Sequence, residues 1–413
     1  MRTTQHSAQT GMGASMFIRG FHSLNGNAQP LIVVDGTPWN TLMHEPSVIG
    51  GYLYNPLQTI DPNDVEHVDV LKDASAIYGA KGANGAILIT TKRSRSMATK
   101  IGVDVSYGFN WKPSMPDVMN ASEHRIFMTE MMKGAPLPSE QQRSFEKTLL
   151  TDDPTSIYYN KYHNQTDWKD LIYRTAITQN YSINVEGGDD VADYNLSLGY
   201  VNNQSTLKYN SMNRVNIRFN TDIRLTEKFG IRFDASFANQ TRNIRNDGAP
   251  ENYTEGTPTS PAFLAYAKSP MLSPYAYANG VLSNSYLDIL DESYLDEALA
   301  DYTNYNYKLA NPVALNEYSE AENKNRFENS MINLAVTPKF QFNKHLSLSE
   351  HFSYNLVNTN EKLYIPLNGV PAYYVSSVNA YRENEARSLA SKQNSVMSDT
   401  RIDWNNRYAA HYV

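Results

Sequence analysis

Residues 214–225, with the sequence RVNIRFNTDIRL, alternate between apolar and polar side chains. Because successive side chains of a β-strand point to opposite faces, this stretch predicts a strand with one apolar and one polar face. The alternation lasts about eleven residues, which is the length of a bilayer-crossing strand and exceeds the four to eight residues of ordinary half-buried strands. The chain is thereby restricted to long-stranded β-proteins. The apolar face would consist of Val215, Ile217, Phe219, Thr221, Ile223 and Leu225.

The same alternation recurs along the chain. It predicts eight strands, near residues 100–111, 180–187, 193–204, 212–225, 228–243, 326–342, 345–360 and 394–407. Alternation alone does not separate a membrane barrel from a soluble sandwich, because the strands of both have one apolar and one polar face. The connections favour the barrel, since most are short but 112–179, 244–325 and 361–393 are long. Outer-membrane barrels have this asymmetry, with short periplasmic turns and long extracellular loops.

Residues 1–95 have a mixed α/β pattern and predict a separate small domain ahead of the barrel region 96–413. The interior of an eight-stranded barrel is filled by its own side chains, so this domain would not fit inside one. We therefore expect a larger barrel, of which this sequence is a fragment that ends in strand-like sequence. The predicted elements of the domain are a strand at 31–34 closed by an Asp35-Gly36 turn, a capped helical turn at 61–64, a strand at 65–71, a short helix through Tyr78 capped by Asp73, and a strand at 86–92.

The stretch YGAKGANGAILITTKRS, residues 78–94, places three glycines at a spacing of three. A phosphate-binding loop follows a strand and opens a helix, whereas this stretch leads into strand composition. Lys81 also lacks the following Ser or Thr of a Walker-type loop. Gly79, Gly82 and Gly85 therefore predict a bend that needs positive φ or close backbone approach.

Composition excludes several classes of protein. The chain has no cysteine, so it has no disulfide, thiol nucleophile or cysteine metal site. Its net charge of −7 argues against nucleic acid as a partner. No apolar run is long enough for a membrane helix, and any export signal is expected to lie outside this sequence. The nine histidines have no metal-ligand spacing, and no nucleophile motif is present. We therefore expect no enzymatic activity, metal or cofactor.

Four stretches carry a family resemblance: FIRGFHSLNGNAQPLIVVDGTPW (17–39), NPLQTIDPNDVEHVDVLKDASAIYGAKGANGAILITTK (55–92), MNASEHRIF (119–127) and TDWKDLIYRTAITQNYSINVEGG (166–188). They resemble the plug domain and early barrel of TonB-dependent outer-membrane receptors, specifically the SusC/RagA branch. The resemblance implies an α/β plug domain followed by an antiparallel transmembrane β-barrel, with about 8 of about 22 strands present. It also implies a plug that is truncated at its N-terminus and lacks the TonB box.

The resemblance implies a function as well. A receptor of this branch actively imports a bulky nutrient across the outer membrane. It is driven by a TonB-type energy-coupling protein and works with a SusD-like surface lipoprotein. An oligosaccharide is the favoured solute, and a peptide is an alternative. A different class also remains open, namely a secreted β-rich glycan-binding or adhesin module, in which the two apolar strand faces would pack together.

Two groups of residues are candidate sites. The plug charges that we expect to face the wall or water are Arg19, Asp35, Lys72, Asp73 and Lys81, with ordinary solvated charge as the alternative. The structural motif of the plug would consist of Arg19, Gly20, Asp35, Gly36, Gly79, Gly82 and Gly85. The candidate solute contacts are Trp39, Tyr52 and Tyr54 in segment 37–56, with packing inside the plug as their alternative, and Tyr275 and Tyr277 in the acidic segment 244–325. Residues 285–302 carry a helical stripe.

Overall fold

The structure is a computed structural model. It describes residues 1–5, 10–11, 13–21, 28–39, 47–48, 56–94, 98–134, 136, 138–244, 260–278, 281–286, 311–321, 324–365, 373–375, 380–382, 385–405, 407–408 and 411–412. Two bodies are packed together, a small α/β domain that we call the plug and a large antiparallel sheet that we call the wall.

The plug contains a two-stranded hairpin and a four-stranded mixed sheet. The hairpin consists of β1 (Arg2–Gln5) and β2 (Ala14–Phe17), and the sheet of β3 (Leu31–Val34), β4 (Thr37–Trp39), β5 (Val65–Leu71) and β6 (Ala86–Thr91). The sheet order is β4-β3-β6-β5, in which only β3 and β6 are parallel. Helix α1 (Ser75–Tyr78) and 3-10 turns at Pro56–Thr59, Pro62–Asp64 and Gly79–Gly82 connect these strands.

The core of the plug lies on both faces of this sheet. One face buries Ile32, Val34, Ile87 and Ile89 with Ile18, Trp39, Ile60 and the wall residue Met331. The other face buries Leu31, Val33, Ala74 and Ala86. A fully buried Ile or Val side chain contributes about 1.5–3 kcal/mol, so the central strands hold the plug together.

The wall is a single sheet of eight antiparallel strands that are neighbours in chain order. They are β7 (Lys100–Asn110), β8 (Ala176–Gly188), β9 (Ala192–Gln204), β10 (Ser211–Arg224), β11 (Phe229–Ile244), β14 (Lys324–Gln341), β15 (Leu346–Ile365) and β18 (Glu385–Trp404). All eight predicted strands are therefore present. Among the described residues the edge strands β7 and β18 do not pair with each other, so the sheet is an open part of a barrel.

Three pairs of short strands, each of two to six residues, complete the described strands: β12 (Tyr275–Ala278) with β13 (Val281–Tyr286), β16 (Tyr373–Val375) with β17 (Ala380–Arg382), and β19 (Arg407–Tyr408) with β20 (His411–Tyr412). Helices α2 (Ala121–Gly134), α3 (Ser139–Thr148), α4 (Tyr159–Tyr162), α5 (Trp168–Ile172), α6 (Pro261–Ala267) and α7 (Pro312–Ala321) lie in the long connections. None of the helices in the described part of the chain is long and apolar enough to span a membrane.

The apolar face of the wall points outward and its polar face points toward the plug. On β10, Val215 and Ile217 are 39% and 40% exposed, whereas Asn216 and Arg218 between them are 5% and 7% exposed. This arrangement is the reverse of a sandwich, in which the apolar faces would meet in a dry core. The sandwich alternative is therefore wrong for this sheet.

Aromatic rings border the outward apolar face near both ends. At the end with the long connections, the hydroxyls of Tyr107 and Tyr181 are 2.6 Å apart and Tyr181 stacks on Tyr200. At the end with the short turns, Phe229 packs against Phe340. The register places about ten residues between these levels on β11, which corresponds to roughly 25 Å for tilted strands, the height of the apolar band of an outer-membrane barrel.

Three local predictions have different outcomes. The capped turn at 61–64 is confirmed, because the Asp61 side chain accepts a hydrogen bond from the Asn63 N–H at 2.9 Å. The prediction that Asp73 caps helix α1 is wrong, because the N-cap is Ala74 without a side-chain bond, and Asp73 instead pairs with Arg19. The helix predicted at 285–302 falls mainly outside the described residues, and its first two residues lie in β13.

Candidate functional site: the plug–wall interface

The Asp35-Gly36 turn of the plug directs a carboxylate toward the wall. Asp35 and Gly36 have φ values of +49° and +88°, and they join β3 to β4 as a two-residue hairpin. The Asp35 carboxylate accepts hydrogen bonds from the Thr91 N–H at 2.9 Å and the Thr91 hydroxyl at 2.8 Å. These bonds tie the turn to the end of the parallel neighbour β6 and fix the carboxylate.

A second plug carboxylate, Asp64, reaches the same part of the wall. It closes the capped 3-10 turn, and its carboxylate accepts a hydrogen bond from the Ser197 hydroxyl on β9. Burial raises the pKa of Asp64 above its usual value of 3.8, and the Ser197 bond and the charge of Arg218 oppose that effect.

Arg218 of the wall lies between these two carboxylates. It occupies an inward position on β10, with Nη1 3.4 Å from Asp35 Oδ2 and Nε 3.6 Å from Asp64 Oδ2. All three side chains are nearly buried. A buried guanidinium needs such compensation, because an unpaired charge in a low-dielectric interior is costly.

A second ionic group surrounds Arg93, which follows β6 by two residues. Its Nη1 lies 3.1 Å from Asp222 Oδ2 on β10, and its Nη2 pairs with Asp234 on β11. Asp222 is also 3.2 Å from Arg232 Nε on β11. The chain is thus fastened to the wall at the point where it leaves the plug.

Neutral hydrogen bonds fill the space between the ionic groups. Asn216 donates to the Thr59 carbonyl oxygen, and Asn220 donates to the Thr91 hydroxyl at 2.9 Å and to the Lys92 carbonyl oxygen at 3.1 Å. On β15, His351 Nε2 is 3.0 Å from the Thr37 hydroxyl of the plug. These contacts make the interface predominantly polar.

A polar cavity of about 470 Å³ lies between plug and wall beside the two ionic groups. Its lining includes Asp35, Arg93, Asp222, Arg232, His351 and Arg401. Acidic and basic side chains are mixed in this lining, so the cavity has no strong preference for one sign of charge.

The structure places the predicted plug charges in two environments. Asp35 faces the wall as described above, whereas Arg19 and Asp73 form an exposed bidentate pair at 2.8 and 3.0 Å. Lys72 and Lys81 are exposed to solvent. Of the five, only Asp35 belongs to the interface.

The predicted solute contacts are only partly described. Trp39 is 3% exposed and packs in the plug core, so the solute-contact interpretation is corrected for this residue in favour of its alternative. Its burial follows from its position on β4, which pairs with the buried strand β3. Tyr275 is exposed at the start of β12. Tyr52, Tyr54 and the side chain of Tyr277 fall outside the described residues.

The glycines of the 78–94 stretch occupy backbone positions that other residues would strain. Gly79 and Gly85 have φ values of +58° and +84°. Gly82 has no positive φ, but an added Cβ would lie 2.5 Å from the Ala74 carbonyl oxygen. Gly20, at φ +94°, follows Arg19 at φ +62° in a second left-handed bend.

Sequence reasoning missed the residues that build most of the interface. The sequence pattern predicts Asp64 only as part of a turn, and it gives no signal for Arg93. The alternation of residues 214–225 places Arg218 on the polar face of its strand, but the partners of Arg218 lie more than 150 positions away. A charged residue in the middle of an inward strand face was the available indication, because such a charge needs a partner across the interface.

Comparisons with known proteins agree with this architecture. The family model described as TonB-dependent Receptor Plug Domain matches residues 2–86. TonB-dependent receptor SusC of Bacteroides thetaiotaomicron is 31% identical over 245 residues, which cover 58% of this chain and 22% of that protein. TonB-dependent receptor P26 of Formosa agariphila is 29% identical over 272 residues, which cover 64% of this chain and 24% of that protein.

Solved structures show the same fold. The RagAB peptide importer in its closed-closed state superposes with a TM-score of 0.69 at 21% identity, over 99% of this chain and 42% of that chain. The RagAB peptide transporter superposes with a TM-score of 0.70 at 20% identity. The chain spans about a quarter of the length of the curated relatives it matches.

A plug seated on the polar face of an open antiparallel sheet defines a plugged outer-membrane barrel, of which this chain supplies the plug and one part of the wall. Residues 2–86 match the plug domain of TonB-dependent receptors, and the chain is similar to receptors of the SusC/RagA type in sequence and fold. It is accordingly an outer-membrane protein, with its apolar strand faces turned to lipid.

Proposed function

We propose that this chain is part of an active importer that admits a bulky nutrient when its plug is displaced from the wall. The observation that carries the proposal is the polar character of the plug–wall interface, with Arg218 and Arg93 each shared between carboxylates. Groups that are paired by charge and hydrogen bonds can exchange those partners for water, whereas an apolar interface would lose its full burial free energy. The interface therefore suits a plug that moves.

The division at residues 95 and 96 is part of this proposal. Residues 1–95 would move as the plug, and residues 96–413 would form the fixed wall with extracellular segments at 112–179, 244–325 and 361–393. The ion pairs of Arg93 with Asp222 and Asp234 support this division, because they fasten the last part of the plug to the wall. A TonB-type protein would supply the force from the short-turn side.

The favoured solute is an oligosaccharide, delivered with the help of a SusD-like lipoprotein at the end with the long connections. Exposed Tyr275 supports this choice, because a flat amphipathic ring stacks on the faces of sugar rings. A peptide is the second candidate. It is favoured by the likeness of the fold to the RagAB peptide importer.

Uptake by cells tests the proposal. The complete receptor would be expressed in a strain that lacks it, with and without TonB, and fluorescent maltoheptaose and a fluorescent tryptic digest would be supplied as probes. We expect uptake of one probe, dependent on TonB. Uptake of neither probe, or uptake that does not need TonB, would contradict the proposal. The probe that enters decides between the two solute classes.

A further inference from the structure

Three buried residues form a row across the inward face of the wall near its long-connection end. Arg242 on β11 pairs in register with Phe327 on β14, and Phe327 pairs with Glu361 on β15. All three side chains are almost completely inaccessible to solvent. Adjacent strands are about 4.8 Å apart, so the two opposite charges sit roughly 10 Å from each other at one height, with the aromatic ring between them.

Arg242 binds one segment of the plug. Its Nη1 donates a hydrogen bond to the Gly11 carbonyl oxygen at 2.9 Å, and its guanidinium carbon lies 4.6 Å from the centroid of the Phe327 ring. Gly11 has a φ of +79°, and an added Cβ there would lie 3.1 Å from Arg242 Cδ. The turn between β1 and β2 therefore approaches the wall closely, at a position suited to glycine.

Glu361 binds a different segment of the plug. Its carboxylate accepts hydrogen bonds from the Ser47 hydroxyl at 3.0 Å and from the Val48 N–H at 2.9 Å. Asn325 on β14 donates a third bond at 2.9 Å, and Arg387 on β18 donates to the Val48 carbonyl oxygen at 3.2 Å. A fully buried carboxylate is tolerated only with such donors, and bonds to an ionised acceptor are stronger than neutral ones.

The two ends of the row therefore bind plug segments that are far apart in sequence, and each does so with a single buried charge. Ser47 and Val48 lie in the middle of segment 37–56. Trp39 and Pro56, which are described near its two ends, are buried. Within the described part of this segment, Ser47 and Val48 attach its middle to the wall through Glu361 and Arg387.

We propose that the Arg242–Phe327–Glu361 row is a latch that positions the two plug segments facing the long connections. The inference rests on the proposed function in one respect, namely that these segments face the incoming solute. Releasing either segment leaves a buried charge without its plug partner, so each segment stays closed until water or a solute group replaces that partner. Glu361 and Arg242 are positioning residues in this account.

Hydrogen exchange of the complete, solute-free receptor in detergent tests the latch. Glu361→Gln keeps the size of the side chain and removes its charge. Exchange at residues 47–48 should rise by about tenfold, since losing a charge-assisted bond changes the opening equilibrium by roughly this factor. Arg242→Gln should raise exchange near residues 10–13 instead. In both variants, exchange in β6 should stay within about twofold of the wild-type rate.

Matched controls exist on the same strands. Glu350→Gln removes a carboxylate of β15 that bonds to Ser398 and Thr400 of the wall, and Arg326→Gln removes a β14 guanidinium that bonds to Glu328. Neither control should change exchange in the plug segments. If Glu361→Gln fails to assemble, Ser47→Ala leaves the carboxylate in place and should give the same local rise on a smaller scale.

Unchanged exchange at residues 47–48 in Glu361→Gln and Ser47→Ala would overturn the latch, and so would a rise that is equal throughout the plug. Because the experiment uses no solute and no transport, its outcome is independent of the uptake assay. A local rise with no TonB-dependent uptake would retain the latch and reject the importer. TonB-dependent uptake with unchanged exchange at residues 47–48 would retain the importer and reject the latch.

Discussion

Arg218 Nη1, on an inward position of wall strand β10, lies 3.4 Å from Oδ2 of Asp35, which the hairpin of the plug holds in a left-handed conformation. Neither side chain is more than 9% exposed. Such pairs contribute little net stability compared with apolar residues of the same size, but removing one partner is costly because the other charge stays buried. The pair therefore fixes where the plug sits more than how stable the wall is.

Replacing Arg218 by Met should loosen the plug. The substitution leaves Asp35 and Asp64 in the interface without their cation, which costs about 3–5 kcal/mol for a buried pair. Faster hydrogen exchange in β6, measured on the complete receptor, is the expected result. Arg326→Met is a control, because Arg326 pairs with Glu328 two positions away on its own strand at an exposed site, and exposed pairs are worth about 0–1 kcal/mol. Equal protection of β6 from hydrogen exchange in both variants would contradict a stabilising contact between Arg218 and the plug.

Gly85→Ala should destabilise the plug more than Gly79→Ala. Both positions have positive φ, and such sparsely populated backbone conformations cost about 1–3 kcal/mol for a residue with a Cβ. At Gly85 the new Cβ would also lie 2.8 Å from the Leu71 carbonyl oxygen and 2.9 Å from Ile18 Cδ1, whereas nothing lies within 4 Å at Gly79. Pulse proteolysis of the two variants measures the difference, and equal susceptibility would show that close packing at Gly85 is unimportant.

His124 should make the helices of segment 112–179 sensitive to acid. Its Nδ1 lies 3.2 Å from the Ser269 hydroxyl and 3.3 Å from Met271 Sδ, and burial lowers its pKa below 6.5. Between that lowered pKa and 6.5 the unfolded chain binds more protons than the folded one, so stability falls as the pH drops below 6.5.

His124→Gln should remove this pH dependence. The measurement is the thermal midpoint of the complete receptor from pH 8 to pH 5, compared between the wild type and the variant at each pH. The two curves should have a constant offset above pH 6.5, and the wild type should lose relative stability below it. Parallel curves over the whole range would show that protonation of the half-buried His124 is not coupled to unfolding.

A disulfide between plug and wall should stop import. The chain contains no cysteine, and a Cβ added at Gly199 of β9 would lie 3.6 Å from Asp61 Cγ. The sulfur of Asp61→Cys would take the place of Asp61 Cγ, so a Gly199→Cys side chain would lie close enough to bond with it in the double variant. TonB-dependent uptake should be lost on oxidation and restored by a reductant. The two single-cysteine variants are the controls, and continued uptake with the bond formed would show that the plug need not leave β9.

The strands of the wall could be predicted because each carries its own period-two pattern, which depends on nothing outside the strand. β18 shows the limit of this approach. Its first nine residues, 385–393, lack an apolar row, so the prediction began the strand at 394. Pairing with β15 determines where this strand begins, because the ladder extends to Ile365 and Glu385.

The site was less accessible to sequence reasoning. Asp35 is identifiable from the sequence because an Asp-Gly turn is a local feature with a known geometry. Its partner Arg218 lies 183 positions away, and only the packing of plug on wall brings the two together. The prediction that Trp39 contacts solute was wrong for a related reason. A strand of three residues carries too little pattern to show which of its faces is buried. Local geometry was predictable, and long-range partners were not.

The account depends on the two faces of the wall strands meeting different surroundings, and a scan of single cysteines along β10 tests this most directly. A fluorophore would be attached to the complete receptor in bilayers that contain a nitroxide-labelled lipid. Labels at Val215, Ile217 and Phe219 should be quenched strongly, and labels at Asn216 and Asn220 should be quenched weakly because they face the plug. Equal quenching at odd and even positions, or stronger quenching at the even ones, would contradict the account.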